Sequence, residues 1–222
     1  MIKLVLFDNN GTIFDDLDIA FGSVVRIFEA YGLQPPTKEQ YRQEISADYM
    51  KFYNKYGFVD SVLAQEEKDL ARALNKIREA HYLEHGDKAC FRPDVAKTVF
   101  ELKERDIRVG IVSAEKGTML QRQLLRFGYR DVFNPVRADV HDKEAALREI
   151  CRELNINPRF AIYVDDTVDG TSAARRAGLL SVGMIAENAY NSPERLLKVT
   201  PHVVKCLYHP VDLVDIHNNT WR

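Results

Sequence analysis

The chain opens on an almost unbroken apolar run, Ile2-Lys3-Leu4-Val5-Leu6-Phe7, that stops at Asp8. A run this short and rich in Leu, Val and Ile suits a strand buried on both faces of a parallel sheet better than a half-exposed strand, whose residues would alternate. Leu17, Phe21, Val24, Val25 and Phe28 then recur at helical spacing, and this helix is predicted to stop near Gly32, ahead of Pro35-Pro36. Thr37-Lys38-Glu39-Gln40 has capping-box spacing and predicts a second helix start. From there to about Gly86 the chain is charged and Tyr-rich, with helical stretches over 49–56 and 66–83 and no strand pattern.

The pattern changes at Arg92-Pro93-Asp94, after which Val95, Val99, Phe100 and Leu102 predict a helix leading to the strand Val109-Gly110-Ile111-Val112. From here strands and helices alternate. Helix is predicted over 120–127, a short strand or turn at Val132-Phe133, helix over 143–154, strand over 160–164, a small helix over 171–177 ended by Gly178, and a buried strand over 181–185. The tail adds a helix over 195–198 and an edge strand at His202-Val203-Val204. Such alternation predicts an α/β fold with a doubly wound parallel sheet, built from residues 1–16 and 88–222 and interrupted by an all-helical insert, 17–87. The insert's Tyr41, Tyr49, Tyr53 and Tyr56 either pack its core or line a substrate pocket.

With 222 residues the chain can bury a full core and still carry an inserted domain. A formal net charge of −2 and a pI of about 6.3 give no basic surface for nucleic acid or an anionic membrane, so a small-molecule partner is expected. Cys90, Cys151 and Cys206 are odd in number and widely spaced, which predicts reduced thiols in a cytoplasmic protein. No stretch approaches the ~20 apolar residues of a membrane span. A monomer or weak homodimer is expected.

Three predicted strands end in polar residues that a parallel sheet brings to one edge: Asp8, Ser113 and the pair Asp165-Asp166. Carboxylates converging in a crevice repel, and a hard divalent cation with oxygen ligands, most simply Mg²⁺, relieves that repulsion. Lys143, at a helix start between the second and third tips, adds a positive charge. A cation, a Lys and a Ser hydroxyl around one carboxylate suit a phosphoryl group.

These residues give the chain a resemblance to the haloacid dehalogenase superfamily of aspartate-nucleophile hydrolases, in particular to phosphoglycolate-phosphatase-like members with a helical cap. The resemblance covers residues 1–16 and 92–185. Phe7-Asp8-Asn9-Asn10-Gly11-Thr12 is similar to the first motif, Ile111-Val112-Ser113 to the second, Lys143 to the third and Tyr163-Val164-Asp165-Asp166 to the fourth. The resemblance implies a nucleophile at Asp8, which forms an aspartyl-phosphate that water later cleaves. It implies phosphate contacts from Gly11, Thr12, Ser113, Ala114 and Lys143. Mg²⁺ would be held by Asp8, the backbone carbonyl of Asn10, Asp166 and Asp165, under a helical lid that selects substrate.

Two positions depart from the pattern. Phosphatases of this family usually carry an Asp two residues after the nucleophile as general acid and base, and here that residue is Asn10. An amide orients an oxygen but cannot exchange a proton near neutral pH. Loss of general acid–base catalysis is worth ~10²–10⁴ in rate, or about 3–5 kcal/mol. In the fourth motif the family often has Gly-Asp and, four residues after that Asp, another Asp, whereas this chain has Asp165-Asp166 and Gly170, with Asp169 one residue early. Asp169 then reaches the metal through water, pairs with Asp165, or caps a helix as Thr171 could. Asp15 and Asp16 are expected to cap or hinge the next helix, or one of them to stand in for the missing acid. His141 is expected at the surface.

Three functions fit: a Mg²⁺-dependent phosphohydrolase of a small phosphorylated metabolite, slow or specialised because of Asn10; a 2-haloacid dehalogenase-type hydrolase; and an idle phosphate-ligand-binding protein. Arg26, Arg42, Lys51 and Lys55 of the insert are candidates for substrate contact, with solvated faces as the alternative.

Overall fold

The computed structural model describes residues 1–46, 48–58, 64–208 and 211–214; residues 47 and 59–63 of the helical insert and the rest of the tail lie outside them. Strand β1 (Leu4–Phe7) is buried along its whole length. It leads through the Asp8 turn to a two-residue strand, β2 (Phe14–Asp15). Helices α1 (Leu17–Ala30), α2 (Lys38–Glu44), α3 (Tyr49–Lys55) and α4 (Ala64–His85) follow, and the chain returns through β3 (Cys90–Phe91), which pairs antiparallel with β2. Next come α5 (Val95–Glu104), β4 (Arg108–Val112), α6 (Gly117–Arg126), β5 (Val136–Arg137), α7 (Lys143–Glu153), β6 (Ala161–Asp165), α8 (Val168–Ala177), β7 (Leu180–Met184), α9 (Pro193–Leu197) and β8 (Val203–Val204).

The main sheet has the order β5-β4-β1-β6-β7-β8, every pair parallel. The chain first winds outward from β1 through β4 to β5, then crosses back to β6 on the other side of β1. The reversal leaves a crevice at the carboxyl ends of β1 and β6, where open α/β sheets bind ligands. Residues alternate between faces along β1, so Leu4 and Leu6 join one apolar layer with Val112, Leu147 and Tyr163, while Val5 and Phe7 join the other with Ile111, Val164 and Val182. Each such fully buried side chain is worth about 1.5–3 kcal/mol, which anchors the strand that ends in Asp8.

The helical segment has an apolar cluster of its own, centred on Leu17, Val24, Phe28, Tyr41, Phe52, Tyr53 and Leu74. Phe28 sits edge-on to Tyr56 and Phe58, with ring centres 5.2 and 4.9 Å away. Tyr41 and Tyr53 are therefore core residues, each 5% exposed. The capping box of α2 forms as its spacing predicts, with Thr37 Oγ1 accepting from Gln40 and the Gln40 side chain accepting from the Thr37 amide. No helix among the described residues is long and apolar enough to cross a membrane.

Several boundaries differ from the sequence pattern. The outer strand is β5 at Val136–Arg137, and Val132-Phe133 forms the turn before it, with Phe133 pointing into the core. Phe100 is exposed on α5. The helix predicted over 171–177 starts three residues earlier, because Thr167 caps it by accepting from the Gly170 amide at 3.1 Å; neither Asp169 nor Thr171 is the cap. The β2/β3 pair has no counterpart in the pattern, since two-residue strands show no period.

Candidate active site

Asp8 directly follows β1, and its amide donates to Val164 O at 2.9 Å, which ties the turn to β6. Asp165 is the last residue of β6 and Asp166 the first beyond it. All three carboxyl groups are buried, and an oxygen from each can be chosen so that the three lie within 4.8 Å of one another. Lys143, the first residue of α7, bridges two of them, with Nζ 2.9 Å from Asp8 Oδ1 and 2.7 Å from Asp165 Oδ2. The Thr167 amide and hydroxyl hold the other Asp165 oxygen at 2.8 and 2.6 Å.

Thr12 closes the arrangement: its hydroxyl donates to Asp166 Oδ1 at 3.0 Å and accepts from the Asp166 amide at 3.0 Å. Asp166 Oδ2 accepts from the Tyr190 amide at 2.5 Å. Gly11 has φ +76°, and a Cβ there would fall 2.1 Å from Asp166 Oδ2 and 2.4 Å from the Tyr190 ring, so only glycine lets the turn approach the carboxylates this closely.

One ammonium faces three carboxyl groups, and the electrostatics follow. Burial pushes Asp8 up to about 7 even though Lys143 opposes the rise. Burial, together with the charges of Asp165 and Asp8, holds Asp166 well above the usual carboxylate range. The two carboxylates in turn hold Lys143 above its ordinary value despite its burial. A cluster of buried oxygen donors that retains protons for want of positive charge is suited to a hard divalent cation. The residues present therefore fit a metal.

Asn10 stands beside this cluster and belongs to a second network. Its Nδ2 donates to Asp16 Oδ2 at 2.5 Å, and its Oδ1 accepts from Asn9 Nδ2 at 3.0 Å. Asn9 also donates to Gln123 Oε1 of α6 at 2.8 Å. Asp16 occupies the cap position of α1 but makes no capping bond. Its carboxylate accepts instead from Asn10, from the Gly11 amide at 3.2 Å, and from the hydroxyls of Tyr82 at 2.9 Å and Tyr190 at 3.2 Å. Burial raises Asp16 to about 6 against the pull of those hydrogen bonds. Asp15 lies in β2, 3.7 Å from Arg92.

Other expected phosphate contacts are placed differently. The Thr12 amide donates to Asn9 O and the Gly11 amide to Phe14 O, so both shape the turn from within rather than facing outward as a cradle. Ser113 lies just beyond β4, next to β1, and its hydroxyl accepts from the Glu115 amide at 3.1 Å. Ala114 beside it is exposed, and so is His141. The sequence pattern missed Arg92, whose guanidinium donates to Thr12 O at 2.9 Å and Gly11 O at 2.8 Å and so fastens the turn. It also missed Tyr82 and Tyr190; nothing in their local sequence marks them, because they meet the site only through packing.

A family model for haloacid dehalogenase-like hydrolases matches residues 5–184. A glyceraldehyde 3-phosphate phosphatase of Methanopyrus kandleri is 27% identical over 201 residues, covering 82% of this chain and 83% of that protein. A phosphoglycolate phosphatase of Synechococcus elongatus is 25% identical over 220 residues, covering 96% of each. A solved haloacid dehalogenase-like family hydrolase from Streptococcus pneumoniae superposes with a TM-score of 0.74 at 14% identity, covering 96% of this chain and 98% of that one.

Proposed function

The chain belongs to the haloacid dehalogenase-like hydrolase family and is a phosphatase-type hydrolase, and from that premise we propose that it cleaves small phosphorylated metabolites with Mg²⁺ and an aspartyl-phosphate at Asp8. The observation that carries this reading is Lys143 bridging Asp8 and Asp165 with Asp166 alongside. Residues 17–87 act as the cap over this centre, and residues 1–16 and 88–222 as its core.

The Asp8 carboxylate forms a bond to phosphorus as the ester P–O bond breaks, and the leaving oxygen departs with the electron pair. Lys143 holds the attacking carboxylate in place and offsets charge on the phosphoryl oxygens. Ser113, at the neighbouring strand tip, donates a hydrogen bond to the phosphoryl group. When bound, Mg²⁺ would supply charge neutralisation for the nucleophile and the phosphoryl oxygens, and Asp8, Asp166, the Asn10 carbonyl and Asp165 would hold it. Asn10 has no proton to give, so the leaving group is best one that needs none, such as an aryl or acyl phosphate. Two further buried carboxyl groups beside the nucleophile, Asp165 and Asp166, argue against metal-free cleavage of an anionic haloacid.

Hydrolysis of p-nitrophenyl phosphate tests the reading. Activity is expected with Mg²⁺, loss with chelator, and loss in Asp8→Asn. A wild-type protein inert toward this aryl phosphate in Mg²⁺, or one that releases chloride from a 2-haloacid in chelator, would overturn it.

A further inference from the structure

The helical segment carries one guanidinium of unusual standing. Arg78 sits one turn before Tyr82 on α4, with its Cζ 5.6 Å from the centre of the Tyr82 ring. Tyr82 in turn bonds Asp16 beside Asn10. Tyr190, which edges the Gly11 turn, and Glu115, which follows Ser113, are both near enough to act on the charge of Arg78. The guanidinium therefore stands between the cap and the strand tips.

Arg78 is half-buried, yet among the described residues no hydrogen bond or ion pair holds its guanidinium. The other insert cations singled out by sequence are all engaged. Arg26 pairs with Glu84, Arg42 bonds Ala189 O and lies 3.7 Å from Glu39, Lys51 lies 3.4 Å from Asp48, and Lys55 pairs with Glu44. Next to Arg78, Glu79 is paired with Lys116. The rings around Arg78 supply no counter-charge either, because burial raises the hydroxyls of Tyr41, Tyr53, Tyr82 and Tyr190 and keeps them neutral. Five donors taken partly out of water without an acceptor are a standing cost to the fold. The planar fork of a guanidinium fits a carboxylate or phosphate through two parallel bonds.

We propose that Arg78 receives a second anionic group of the substrate, so that the preferred substrates are small phosphate monoesters bearing a carboxylate or a further phosphate. This inference rests on the phosphohydrolase reading above. It makes Arg78 a specificity residue, which touches the part of the substrate that does not react and leaves the phosphoryl chemistry to Asp8 and Lys143.

The test is calorimetric binding, in Mg²⁺, of matched non-hydrolysable pairs: phosphonoacetate against ethylphosphonate, and 3-phosphonopropionate against propylphosphonate. Methylenediphosphonate serves as the arm that separates phosphate from carboxylate. The wild type is expected to bind at least one doubly anionic ligand more tightly than its partner, by about 10- to 100-fold, the range of a charge-assisted bidentate pair. In Arg78→Gln that advantage disappears while ethylphosphonate affinity stays unchanged, and Arg78→Lys keeps part of it. Removing an unpaired charge is not expected to lower the melting temperature, which separates lost recognition from lost folding. Equal binding within each pair by the wild type, or an advantage that survives in Arg78→Gln, overturns the proposal. So does equal weakening of every ligand in both Arg78→Gln and Glu115→Gln, the mark of a cap–core latch. If neither inorganic phosphate nor any phosphonate binds any form, the phosphohydrolase reading itself falls and takes this inference with it.

Discussion

Asn10 and Asp16 face one another across the first turn, the amide of one donating to the carboxylate of the other over 2.5 Å. The position where the resemblance implies an acid holds an amide here, and the buried Asp16 carboxyl group lies against it. Tyr82 and Tyr190 reach the same Asp16 oxygen from the cap helix and from the loop after β7. Asn10, the helical segment and the loop after β7 are thus joined through one side chain.

Replacing Asn10 by Asp is expected to raise turnover of alkyl phosphates by ~10²–10⁴, the usual worth of general acid–base catalysis, and that of aryl phosphates by less, because an aryl leaving group needs no proton and gains only the base for the later attack of water. The same variant sets two buried carboxyl groups against each other, so its melting temperature should fall more at pH 8 than at pH 5. Parallel assays on both ester classes check the first part and melts at the two pH values the second. No gain on alkyl esters would mean that residue 10 is not where the proton moves.

The metal-free protein should lose stability as pH rises from about 4 to about 7. Asp16 and Asp8 keep protons in the folded state up to about 6 and about 7, whereas the unfolded chain releases them near 3.8. In that window the folded state binds more protons than the unfolded chain, so raising the pH favours unfolding, by about 3 kcal/mol in all for Asp16 and about 4 for Asp8. A Mg²⁺ bound at the cluster would take the place of the proton at Asp8, so melts recorded from pH 5 to 8 should fall less steeply with the cation than without it. A slope unaffected by Mg²⁺ would count against metal binding at this cluster.

Lys143→Gln removes the only cation that pairs with Asp8 and Asp165 among the described residues. Breaking a buried pair from one side costs about 3–5 kcal/mol. Urea unfolding of metal-free protein at pH 8 should show that loss, and at pH 5 a smaller one, because Asp8 is then protonated. Phosphatase activity is expected to vanish at either pH.

Asp165 and Gly170 compete for one small volume. A Cβ on Gly170 would fall 1.8 Å from Asp165 Oδ2, so the Asp165 carboxylate fills the space that a side chain at 170 would take. The resemblance places a Gly at 165 and an Asp at 170 in other members, which reads as the same carboxylate delivered from the opposite side of one small volume. Gly170→Ala alone should lower stability by about 1–3 kcal/mol through overpacking. Asp165→Gly with Gly170→Asp should recover both fold and activity. A double-mutant cycle without coupling would refute the exchange.

Long apolar runs and 3.6-residue periods made β1, β4, β6, β7 and the principal helices legible in the chain. The same runs put Asp8, Ser113 and Asp165-Asp166 at one sheet edge, and a parallel sheet leaves little choice about where that edge lies. The β2/β3 pair and β5 escaped because two-residue strands are too short to show a period, and Phe14 pairs with Phe91 across the whole helical segment. The direction of the Asp16 carboxylate escaped for a related reason. A capping role and a contact with Asn10 start from the same local sequence, and what separates them is Tyr82 and Tyr190, 66 and 174 residues away. Arg78 is one charged residue among many on α4 until packing sets its guanidinium among neutral rings with no ion pair among the described residues, while Arg26, Arg42, Lys51 and Lys55 have carboxylates. Local pattern thus carries the strands, the helices and the address of Asp8, since these depend on neighbours in sequence. The surroundings of Asn10 and Arg78 depend on how a helical layer docks across a sheet edge, and those contacts exist only in the folded chain.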